Sequence, residues 1–238
     1  MNRCFKQPYT GNQGALAQAI LNSLNSRMHE AVVDAHNTSA HSVPFVVSVR
    51  DSGNIRLLST LFADNLVIMD QTLGTLIDHG DHTNPWITME FGGLMDPRAD
   101  QLAYESLGVF ISQPRLFDRP TEPANILHHP LRLEISADAR IHYSSSVIHN
   151  SHITMFNTID QLNFQMVPAD TPLGWVSPEG LSRFNVRSNQ GDESIHDYFY
   201  DNNGFFTTTQ SLTLFMATTD PYIAVKDCLL YLTPRRHH

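Results

Sequence analysis

Asp78-His79-Gly80-Asp81-His82 places four metal-capable side chains within five residues. A metal site needs three or four converging ligands and an outer set of hydrogen bonds to orient them. One loop supplies about two, so Asp78, His79, Asp81 and His82 read first as a polar turn and only second as metal ligands. His128, His129, His142, His149 and His152 lie across three expected strand segments. On neighbouring strands such residues can meet, and imidazole titrates near neutral pH. They are expected to form a pH-sensitive contact. His36 follows His29 and precedes His41 near the end of an expected helix. Phosphate loops, dinucleotide fingerprints and serine elbows do not occur, so no cofactor is expected. Neither Cys4 nor Cys228 has a histidine near it in sequence to make a thiolate, and both are expected to be free thiols.

These residues sit in an unusually charge-poor chain. Of 238 residues only 16% are charged, with 24 acidic against 15 basic side chains and a formal charge of −9. An ordinary soluble domain carries about 25%. Just two of the basic residues, Lys6 and Lys226, are lysines. Ser, Thr, Asn and Gln fill the deficit. The 41% hydrophobic content can build a core, which excludes disorder, and the acidic balance argues against nucleic-acid binding. No signal peptide and no apolar run of about 18 residues is present, so neither secretion nor a membrane span is expected. The expected location is the cytoplasm, or a virion or other intracellular assembly.

The elements that must position the candidates were read from periodicity. Ala15, Leu16, Ala19, Ile20, Leu24, Met28 and Val32 predict a helix over 12–36. Its opposite face holds Asn22, Asn25 and His29, polar but almost uncharged. Residues 45–61 read as a hairpin about Asp51-Ser52-Gly53-Asn54, residues 64–78 as a second helix, and 86–91 as a strand. A short helix is expected over 97–106, a strand at 109–111, and a proline-rich connection over 113–130. The remainder reads as strands at 131–136, 140–148, 152–158, 162–167, 205–209, 211–217 and 223–232, with an exposed loop over 185–204. The expected organisation is an α+β layer over 1–92 and an antiparallel β-rich region over 93–238. The fold class is then mainly β, a jelly-roll-like antiparallel β-sandwich with an N-terminal amphipathic helix.

Helix, hairpin, helix and strand over 12–91 resemble the ferredoxin-like half of RNA endonucleases that cut CRISPR repeats. That likeness would make His36 a catalytic histidine, although the acidic charge and the two lysines oppose RNA binding. Interface cores are depleted in Lys, Glu and Asp and enriched in Tyr and Phe. The composition therefore points first to a structural protein that self-assembles into homo-oligomers or a lattice, of the viral capsid or occlusion-body type. Asn22, Asn25, His29, Tyr198, Tyr200, Phe205 and Phe206 would form its interfaces. The chain would be its own partner, with neither membrane nor nucleic acid involved. A ligand-binding β-sandwich is a further alternative. Protonating all 13 histidines would take the formal charge from −9 to +4, so assembly would respond to pH between about 5 and 7.

Overall fold

The computed structural model describes residues 2–80, 83–118 and 121–234. They form two compact units: Met1–Asn37, Pro44–Phe91 and Pro97–His128 make the first, and Thr38–Val43, Gly92–Asp96 and His129–His238 the second.

The first unit contains α1 (Gly11–Asn25), β1 (Val32–Thr38), β2 (Phe45–Ser48), α2 (Gly53–Ser59), β3 (Asn65–Ile68), β4 (Trp86–Gly93), α3 (Pro97–Ser112) and β5 (Asn125–His128). Its single sheet has the order β1-β4-β2-β3-β5. β2 and β3 are parallel, β3 and β5 are parallel, and β4 runs antiparallel to β2. A parallel pair needs a crossover, and α2 supplies it between β2 and β3. The sequence Asp51-Ser52-Gly53 is therefore a helix start and not a hairpin turn. The Ser52 hydroxyl accepts the Ile55 N–H at 3.3 Å, which satisfies one of the helix's first free donors. Residues 65–68, expected in a helix, are the buried interior strand β3, because Leu66, Val67 and Ile68 are apolar on both faces. The ferredoxin-like order is thus replaced by a mixed sheet.

The expected helix over 12–36 stops at Asn25. Met28 is fully exposed, and the β-branched pair Val32-Val33 opens β1 at the sheet edge, where the Val32 N–H bonds to the Pro85 carbonyl at 3.0 Å. At the other end α3 runs on to Ser112 and absorbs the strand expected at 109–111. Phe110 is drawn into the helix by its contact with Phe62, with ring centroids 5.7 Å apart.

One face of this sheet is dry. Val46, Leu66, Ile68, Ile87, Met89 and Phe91 pack against Ile55, Leu58 and Phe62 after and within α2, and against Ala99 of α3. Alternation along a strand then sends Trp86, Thr88 and Glu90 of β4, and Asp34 and His36 of β1, to the opposite face.

The second unit holds β6 (Leu131–Ile135), β7 (Ile141–Ser144), β8 (Ile153–Phe156), β9 (Gln165–Val167), β10 (Pro172–Val176), β11 (Phe184–Ser188), β12 (Gly191–Glu193), β13 (Phe199–Asn202), β14 (Phe205–Thr208), β15 (Leu212–Phe215), α4 (Pro221–Lys226) and β16 (Leu230–Pro234). Two sheets result, β13-β14-β10-β8-β7 and β12-β11-β6-β16-β15-β9. Their pairs are antiparallel except for the parallel pair β7 and β8. They share a core in which Leu133, Met155, Leu173, Val186, Phe199, Phe206, Leu214 and Leu232 are buried together. Phe206 stacks on Phe184 and Phe199, with centroids 4.5 and 4.6 Å away.

The expected loop over 185–204 is largely strand. Its turn residues close a β11–β12 hairpin at Gly191, whose φ of +131 suits glycine, while Phe184 and Val186 alternate into the core. β10 was hidden behind Pro172 and Gly174. Proline stands at the strand's first position, and Gly174 is required because a Cβ there would meet the Thr154 carbonyl oxygen at 2.2 Å. Residues 221–226 are helical, since Asp220 caps α4 by accepting the Tyr222 N–H at 2.8 Å. With three sheets, two of them mixed and the first packed against helices, the molecule is not the single jelly-roll-like sandwich expected from its strand-rich second half. No helix among the described residues is long and apolar enough to cross a membrane.

Candidate active site

Asp34 and His36 stand two residues apart on β1 and so share a face, and Glu90 reaches the same face from the adjacent strand β4. His36 Nε2 lies 3.1 Å from Asp34 Oδ2. The other ring nitrogen, Nδ1, lies 3.8 Å from Glu90 Oε1 and 3.5 Å from the Asn2 amide nitrogen. The imidazole is thus set between two carboxyl groups.

Glu90 is 7% exposed, and its Oε2 is buried without a hydrogen-bond partner. Burial pushes its carboxyl up to about 7; the His36 charge opposes the rise and the Asp34 charge adds to it. His36 is raised above its ordinary 6.5, chiefly by the hydrogen bond to Asp34, against the effect of burial and with help from the charges of Asp34 and Glu90. A carboxyl raised to about 7 and an imidazole that holds its proton more tightly than usual, side by side and largely out of water, are equipped for general acid–base work.

A carboxylate on one ring nitrogen is also how metal-binding histidines are oriented, so His36 could serve as one ligand through Nδ1. A hydrolytic metal needs about three protein ligands. Among the described residues no group of three His, Cys, Asp or Glu side chains is placed to hold one. The donor set present therefore fits only part of a metal site.

The other sequence candidates fall elsewhere. The Asp78 carboxylate accepts the N–H groups of Leu73, Gly74 and Thr75 at 3.1, 2.6 and 2.9 Å and so closes its own turn. His79 bonds through Nε2 to the Phe5 carbonyl. Asp81 and His82 lie outside the described residues. His128 is 3.8 Å from Asp51 and, like His129, belongs to the bend where β5 ends. His142 Nδ1 pairs with the Ser151 hydroxyl at 3.1 Å, His152 Nδ1 accepts the Arg140 N–H at 3.0 Å, and His149 is exposed in a turn. Asn22 and Asn25 are exposed on α1, and the His29 ring meets Trp86 edge-on at 5.6 Å. Tyr198 and Phe206 are buried in the second core, with the Tyr198 hydroxyl donating to Glu193. The Tyr200 hydroxyl donates to Asp170 at 2.8 Å, and Phe205 packs on Trp175 at 5.8 Å. Cys4 and Cys228 are not joined in a disulfide.

Of the site, sequence reasoning found His36 and missed Asp34 and Glu90. Two signals could have found them. Asp34 and His36 alternate with apolar neighbours at period two, and Glu90 is the lone charge in an otherwise uncharged strand.

No protein-family model and no curated protein matches the sequence. Solved structures match the fold. The succinylglutamate desuccinylase of Vibrio parahaemolyticus superposes with a TM-score of 0.58 at 12% identity, over 99% of this chain and 65% of that one. The succinylglutamate desuccinylase/aspartoacylase of Rhodobacter sphaeroides gives 0.53 at 11% identity, over 99% and 68%. Murine aminoacylase 3 gives 0.51 at 12% identity, over 97% and 75%. The chain therefore has the desuccinylase and aminoacylase fold and spans about two thirds to three quarters of the length of these proteins. This likeness overturns the expected capsid or occlusion-body subunit, its self-assembling viral lattice, and the two alternatives of an RNA endonuclease and a ligand-binding sandwich.

Proposed function

We propose that the chain is a hydrolase, or the part of one that it spans, that cleaves the amide bond of N-acylated amino acids. The observation that carries this reading is Glu90, a buried carboxyl titrating near 7 beside a histidine held by Asp34. The fold supports it, since the structures sharing it are a succinylglutamate desuccinylase and an aminoacylase, names that describe deacylation.

In the reaction, Glu90 as carboxylate takes a proton from water while the water oxygen bonds to the acyl carbon. The C–N bond then breaks, and the Glu90 carboxyl returns that proton to the leaving amine. His36, whose protonated form Asp34 favours, donates to the oxyanion that develops on the acyl oxygen. Each proton moved stays within reach of these two side chains.

The test is release of free amine from N-succinylglutamate by the purified chain and by Glu90→Gln. Release by the parent with a loss of about 10³-fold in the variant is expected, within the range for one acid–base group. No release by the parent, or equal release by both, would sink the reading.

A further inference from the structure

Besides Glu90 Oε2, a second buried polar atom on β4 has no hydrogen-bond partner, the indole Nε1 of Trp86. Trp86 is 5% exposed. Residues 86, 88 and 90 share one face of the strand, while Ile87, Met89 and Phe91 fill the core on the other. The register with β2, Phe45 opposite Glu90 and Val47 opposite Thr88, runs without a bulge, so the alternation holds along this stretch.

The Trp86 side chain is held firmly. Its Cβ and Cγ would lie 2.9 Å from a Cβ at Gly80, so position 80 leaves room for the indole only as glycine. The His29 ring packs on its edge, and the Ser48 hydroxyl donates to its carbonyl oxygen at 3.1 Å. Buried indole N–H groups usually find a partner. Here the ring is fixed and its one polar atom is unpaired, on the face that carries the site. An indole N–H only donates, so its missing partner is an acceptor oxygen. Four residues of strand separate the two positions by roughly 13 Å between Cα atoms, and both side chains are long enough to serve the two ends of one extended small molecule.

We propose that Trp86 is a substrate-positioning residue, whose Nε1–H donates to a carboxylate oxygen of the substrate remote from the bond cut at Glu90. The inference rests on the amide-hydrolase reading for its choice of substrate. An N-succinylated amino acid carries carboxylates on both sides of its amide, as such a donor requires.

The experiment compares Trp86→Phe with the parent on N-succinylglutamate. Phenylalanine keeps an aromatic ring and removes the N–H. The expected result is a KM raised about tenfold, the scale of one lost hydrogen bond, with kcat within about twofold and its pH profile unmoved. An unchanged KM in the folded variant overturns the inference while leaving the hydrolase reading intact. Should that variant fail to fold, Trp175→Phe combined with Glu90→Gln leaves Trp86 as the sole indole in a protein that holds substrate uncleaved. Titration with N-succinylglutamate is then expected to change its emission saturably. Emission that stays flat while calorimetry records binding overturns the inference. Absence of both hydrolysis by the parent and calorimetric binding overturns the hydrolase reading and the inference with it.

Discussion

The two units use histidine in opposite ways. In the second unit His142 pairs with a serine hydroxyl and His152 accepts a backbone N–H from Arg140, so each ring ties one turn of chain to the next. In the first unit His36 has carboxyl groups on both sides, one of them buried. A neutral partner fixes where an imidazole points; a charged one also changes when it gains its proton. The number of histidines in a stretch therefore says little about where proton chemistry lies. Five cluster between 128 and 152, yet the ring set between two carboxyl groups is that of His36.

The strongest way to break this contrast is Glu90→Gln. Activity is expected to fall about 10³-fold, measured as kcat on N-succinylglutamate. The same variant sharpens the electrostatic argument through stability. The folded-state value of Glu90 is raised from 4.5 to about 7, so its contribution to stability is fully present below about 4.5 and is lost as pH climbs through 7. Removing the ionisable group should make the variant's Tm advantage over the parent grow between pH 5 and 8, toward a limit on the order of 3 kcal/mol. A Tm difference that is flat with pH would show that Glu90 is not strained by burial.

Next in size is Phe206→Ala in the second core. Its ring is fully buried between Phe184 and Phe199, and its loss should cost about 3–5 kcal/mol in urea unfolding. A cost under about 1 kcal/mol would mean the stack is not what holds the two sheets of that unit.

Asp34→Asn is expected to bring a smaller loss, about tenfold in kcat, because it acts through His36. His36 titration followed by NMR should shift downward, since the hydrogen bond that the ring donates to Asp34 is the largest influence raising it. An unmoved His36 titration would break the assignment. The smallest effect is expected for His142→Ala, with stability changed by about 1 kcal/mol or less and kcat unchanged. A large loss of activity there would erase the distinction between the two units.

Much of the local structure was legible where one signal acted alone. Alternation at Leu131, Leu133 and Ile135 marked β6, and the β-branched run at 45–48 marked β2. Errors came where two signals competed. Residues 28–36 continued the helical spacing of α1, but exposure at Met28 and pairing of β1 with β4 ended the helix at Asn25. Pro172 and Gly174 looked like breakers because the close approach of β8 that demands the glycine is a tertiary contact. Glu90 stands out in sequence only as the lone charge of its strand; its role as a site residue comes from what faces it, which is again a tertiary contact.

The sequence by itself singled out His36, because imidazole is the side chain whose ordinary titration falls near neutrality; that it shares a face with Asp34 follows from β1 being a strand. The sequence also determined the strands β2 and β6, because a β-branched run and a period-two alternation act between near neighbours. Only the tertiary structure decided which histidine is tuned and which glutamate is protonated near neutrality. Those depend on desolvation and on charges 54 residues away along the chain, in Glu90 and His36, brought within 3.8 Å by the pairing of β1 with β4.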